Sequence, residues 1–87
     1  MTYYINKIPL NIEANEYNFL VTTSTEIRRC ARKVDNTGFG RANLELAQMQ
    51  LGVLYGALQL LEIQGKINYE DGNAILTPLK ELVERAN

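Results

Sequence analysis

Eighty-seven residues with a formal charge of −1, an apolar share of 46% and 22% charged residues have the composition of a globular domain with room for one core, and argue against disorder. With no histidine and a single cysteine, Cys30, the chain offers no intramolecular disulfide, and a zinc, iron or calcium site would fall to carboxylates that are not spaced as a cage. No apolar run reaches the roughly 18 residues of a membrane span, and Met1 to Tyr4 lack the parts of a signal peptide, so a soluble, cytoplasmic protein is expected.

A chain this short buries only about 60% of its unfolded surface and is marginally stable alone. With disulfides and metals set aside, self-association is the remaining stabiliser, and a homo-oligomer, dimer or higher, is expected. Charge is also unevenly spread. Residues 25–41 hold five basic groups and two acidic ones, whereas residues 42–87 hold three basic and six acidic.

Tyr3, Tyr4 and Ile5, followed by the alternation of Ile8, Leu10 and Ile12 around Pro9, predict a short edge strand or hairpin. Glu13, Ala14, Glu16 and Tyr17 equally suit the opening of a helical turn, which leaves the first 22 residues open. Thr23 and Glu26 have the spacing of a capping box and predict a helix start there. Behind it, Ile27, Cys30, Ala31 and Val34 form one apolar stripe flanked by Arg28, Arg29, Arg32 and Lys33, a short basic amphipathic helix. It ends in a turn from Asp35 to Gly40.

From about Arg41 to Gln64 a long helix is predicted. Leu44, Ala47, Leu51, Leu54, Leu58 and Leu61 make one seam, and Leu46, Met49, Val53, Ala57 and Leu60 make a second stripe beside it. So broad an apolar surface must be covered on two sides. Gly65 suits a helix end, Asn68 with Asp71 an N-cap, and a last helix runs from about Tyr69 to Arg85 with a kink or restart at Pro78. The expected architecture is a single, mainly α domain over residues 1–87: a helical hairpin plus a third helix, preceded by a short strand or hairpin.

Chemistry-bearing candidates are few. Arg28, Arg29, Arg32 and Lys33, with Gly38, Phe39, Gly40 and Arg41 at the start of the long helix, form a candidate partner- or anion-binding surface, since arginine forks onto carboxylate and phosphate. Four cations beside an apolar stripe are also what a solvated face looks like. Phe39 is either an exposed anchor or a plug over the core, and Tyr55 a stacking platform near Gly52 and Gly56. The two glycines suggest close approach of another helix, the chain's own third helix or a second subunit's.

Cys30 lies within an apolar stripe, where its thiolate is disfavoured, and no nucleophile elbow or carboxylate pair of catalytic type is present. A catalytic role, a metal or a cofactor is therefore not expected. The leading expectation is an interaction protein that binds and inhibits or adapts a protein partner, as small inhibitors of phages and mobile elements do. The alternative is an oligomeric binder of a small anionic ligand such as a nucleotide signal, which requires arginines from two segments to converge. The spacing of Leu44, Ala47 and Leu51 loosely resembles long helices of small phage-encoded proteins that sequester cyclic nucleotides, a spacing too generic to establish kinship. Nucleic acid is disfavoured by a sequence pI near 5.3, which weakens attraction to phosphate backbones.

Overall fold

The computed structural model describes residues 2–34 and 40–86. The expected turn at 35–39, Phe39 included, lies outside them. Strands β1 (Thr2–Ile5) and β2 (Ile8–Asn11) form an antiparallel hairpin, followed by helices α1 (Ala14–Arg32), α2 (Gly40–Ile63) and α3 (Tyr69–Ala86). The domain is mainly α, and its rod-like body extends 42 × 20 × 20 Å.

The hairpin turns on Asn6 and Lys7, both at left-handed φ values of 51° and 66°. That is the sign pattern of the type I′ turn, whose twist matches paired strands. Ile5 pairs with Ile8 and Tyr3 with Leu10, which puts these four on one face; Tyr4 and Pro9 form the next, outward pair. Pairs alternate between bonded and non-bonded along an antiparallel ladder, so Pro9, whose nitrogen has no hydrogen to donate, occupies a position that needs none. Leu10, Ile5 and Ile12 are buried against the helices, and the Tyr3 and Tyr17 rings stack at 4.5 Å between centroids.

Helix α1 starts nine residues before the predicted Thr23 boundary. Its cap is Glu13, whose N–H donates to Glu16 Oε1 at 2.9 Å. Thr23 and Ser24 are instead buried in mid-helix, with the Ser24 hydroxyl donating to the Leu20 carbonyl at 2.7 Å. The side chain satisfies itself against its own helix, so it can stand on the packed face with Leu20 and Ile27. The capping spacing at Thr23 was overridden because burial of Leu20 and the Tyr17 stack both require helix upstream of it.

Helix α2 covers the predicted span to within a residue. An added Cβ at its first residue, Gly40, would collide with the Val34 carbonyl oxygen, so only glycine admits the close return of the chain after α1. At its other end Gly65 has φ +75°, Lys66 N–H donates to the Leu61 carbonyl at 2.9 Å and Gly65 N–H to that of Glu62 at 3.0 Å. This is the Schellman arrangement of a glycine-terminated helix. Asn68 then caps α3 as predicted, its Oδ1 accepting from Asp71 N–H at 2.8 Å. Helix α3 continues through Pro78 without a restart.

Ala47, Leu54, Leu58 and Leu61 of α2 meet Leu20, Ile27 and Cys30 of α1 and Ile75, Leu79 and Val83 of α3 in one core. Leu44 and Leu51, equal members of the seam in sequence, are only half-buried at its edge. The second α2 stripe is left largely uncovered by the described residues: Met49, Val53 and Leu60 are exposed, and Leu46 and Ala57 are half-buried.

Candidate functional site

Residues Thr25, Arg28, Arg29, Arg32 and Lys33 line an open depression on the last two turns of α1. Four of the predicted cations are thus brought together on one helix. Arg29 is engaged by its neighbour: its Nε donates to Glu26 Oε2 at 3.3 Å, and Nη2 to Oε1 of the same carboxylate. That pairing holds the Glu26 carboxyl below its ordinary value and raises the guanidinium of Arg29.

The other two predicted members stand elsewhere. Arg41 is exposed in the first turn of α2, with Nε 3.3 Å from Glu45 Oε1, and is not part of the α1 depression. Tyr55 lies 14 residues further along α2, about 21 Å at 1.5 Å per residue, and its hydroxyl accepts from Gln59 Nε2 at 3.0 Å. Tyr55 instead borders a cleft of about 200 Å³ between α2 and α3, shared with Tyr69, Gly72, Asn73 and Leu76. The convergence that a nucleotide pocket requires of Arg28, Arg32, Arg41 and Tyr55 is absent among the described residues. Phe39 lies outside them.

Gly52 and Gly56 are exposed, and a Cβ added at either would meet no described atom within 4 Å. The chain's own third helix is therefore not the neighbour they serve. Each costs roughly 1 kcal/mol of helix propensity relative to alanine, and no close contact among the described residues offsets it.

Sequence reasoning did not single out the groove between α1 and α2, lined by Phe19, Leu20, Ala57, Leu60 and Leu61, with Asn15, Glu16 and Gln64 at its rim. The signal was available in the second α2 stripe. Phe19 escapes that signal because the capping spacing at Thr23 predicts a start of α1 after it.

Glu16, at one end of this groove, ties two parts of the fold together. Its Oε2 accepts from Lys66 Nζ at 2.7 Å, joining the start of α1 to the α2–α3 connection. Lys66 and the Glu13 N–H hold the Glu16 carboxyl below its ordinary value, and Glu16 holds the Lys66 ammonium above its own. A depressed carboxyl contributes stability above its unfolded pKa and loses it as pH falls through the folded value; a raised ammonium loses its share as pH rises through its folded value. The contribution is therefore complete between about pH 5 and pH 10, from the unperturbed values near 4.3 and 10.4. Glu16→Gln is expected to lower the urea midpoint at pH 7, and the gap from wild type is expected to close below pH 4. A gap unchanged between pH 7 and pH 3 would show that the ion pair is not its source.

Among the described residues no cluster of histidine, cysteine and carboxylates is arranged to hold a metal ion, and no helix is long and apolar enough to cross a membrane. Cys30 is buried. Comparison of the chain with protein-family models, with curated proteins and with solved structures returns no match.

Proposed function

We propose that this chain is a non-enzymatic interaction protein of the cytoplasm that docks through the basic face of α1 onto an acidic surface of a protein partner and inhibits or adapts it. The observation that carries this reading is the grouping of Arg28, Arg29, Arg32 and Lys33 around one open depression on a single helix. A small ligand is ordinarily held in a concave site that buries most of its surface; a shallow basic face built from one helix suits a broad, complementary surface instead. Four cations in two turns also steer an acidic partner into register and raise its association rate. The chain's slight net negative charge and a sequence pI near 5.3 give a polyanion such as nucleic acid little long-range attraction to the molecule.

The test is the double variant Arg28→Glu/Arg32→Glu. It is expected to keep the wild-type helical spectrum. From lysate of the source cell, with and without nuclease treatment, it is expected to lose a protein that wild type retains in both, with capture by wild type weakening as salt rises. Equal recovery by the two proteins would reject the basic face as the docking surface, and capture abolished by nuclease would assign it to nucleic acid.

A further inference from the structure

We infer that the uncovered face of α1 and α2 is the site of a second copy of this chain, packed about a two-fold axis that passes near Val53. Met49 is 60% exposed, Leu60 55%, Phe19 47% and Val53 43%; with Leu46 and Ala57 they form one continuous strip along the rod. Helix α2 carries only three charged residues, Arg41, Glu45 and Glu62. At 100° per residue all three lie off the strip, while Leu46, Met49, Val53, Ala57 and Leu60 share one side of the helix.

Area selects the occupant. The accessible surface is 5680 Å², against about 5200 Å² expected for a compact monomer of this mass. Helix α2 is about 36 Å long at 1.5 Å per residue, and the body is 20 Å across. The apolar strip takes up the 15 residues from Leu46 to Leu60, about 22 Å of that length, and so offers on the order of 400 Å², close to the apolar share, somewhat over half, of the roughly 800 Å² per partner of a standard stable interface. A short peptide or a small ligand would leave most of it wet.

The residues on the face also match themselves. An isologous interface presents the same patch twice, so it must be complementary to itself and free of like charge across the axis. With α2 antiparallel to its copy about Val53, residue 53 + d meets residue 53 − d. Leu60 then meets Leu46 of the partner subunit, and Met49 fills the space left by Ala57 of the partner subunit. Gly56, next to this strip and open to approach, lets the two helix backbones draw close. Phe19 and Arg28 are nine residues apart on α1, half a revolution, and Arg32 is about 140° from Phe19, so the pairing leaves Arg28 and Arg32 outward on both protomers, while Lys33 lies nearer the Phe19 side. The dimer and the partner docking proposed above are therefore separated at Arg28 and Arg32, the two positions changed in its test.

Native mass spectrometry and sedimentation of the purified full chain at micromolar concentration should give twice the 9.9 kDa protomer mass. Val53→Glu should give a folded monomer with an unchanged helical spectrum and association weakened by at least about a hundredfold, because the axis would bring two unpaired carboxylates together. Val53→Cys should form a covalent dimer on treatment with diamide, since a residue on the axis meets its own copy within disulfide reach. Wild type, whose only thiol is the buried Cys30, should not.

Tyr4→Glu, on the outward face of the hairpin, and Arg28→Glu/Arg32→Glu should both stay dimeric, so that failure of the dimer and failure of the docking surface are read separately. A wild-type monomer, an assembly of any other size, or a Val53→Glu protein that remains dimeric would overturn the proposal. A dimer that Val53→Cys does not cross-link would overturn the axis.

Discussion

Leu54→Ala is expected to destabilise the protein by about 3–5 kcal/mol, the range found for leucine truncations at sites that cannot collapse around the void. Leu54 is completely buried at the middle of α2, in the core that α1 and α3 share. A single-domain chain of this length has a total stability of roughly 4–13 kcal/mol, so the loss consumes about a quarter of it at the least. Urea unfolding followed by circular dichroism measures the effect directly. The contrast is Leu51→Ala, at a half-buried position of the same seam, where less contact is lost and the cost should be clearly smaller. Equal costs at the two positions would mean that the core is centred one turn closer to the start of α2 than described.

Pro78→Ala acts in the opposite direction, with an expected gain of about 2–3 kcal/mol. Pro78 stands in the interior of α3 and is exposed, so its ring contributes little packing to offset what it costs. It has no N–H to give the Ala74 carbonyl one turn back, and its ring crowds that turn. The neighbouring Thr77 hydroxyl donates to the Asn73 carbonyl at 2.7 Å, which satisfies one acceptor beside the break but not the one the proline abandons. Alanine restores the bond and the propensity together. Thermal melting and urea titration of the full chain, at fixed protein concentration so that association does not confound the midpoint, give the change. A midpoint that falls would show that the proline ring packs against something the protein needs.

At three places a local signal alone was sufficient. Gly65 ends α2 because a left-handed residue is required there, Asn68 caps α3 by reaching a nearby backbone N–H, and the Ile27, Cys30 and Ala31 stripe faces the core because helical periodicity puts them on one side. Ile8 and Leu10 on either side of Pro9 pointed to an edge strand or a hairpin without deciding between them. The start of α1 was not. Thr23 and Ser24 look like caps in one dimension, and only the burial of Leu20 together with the Tyr3–Tyr17 stack, contacts made across the chain, decides in favour of a start at Ala14.

The candidate site divides along the same line. The four cations of α1 come together because they are neighbours within two helical turns, which sequence determines. Arg41 and Tyr55 join no common pocket with them, because distance along a rigid helix and the direction of its faces are set by how α2 packs. Sequence also determined that α2 is apolar on more than one side. Which side its own helices cover and which they leave open was decided only in the tertiary structure, since two partners of 19 and 18 residues surround part of a 24-residue helix and burial of one stripe turns the other toward solvent.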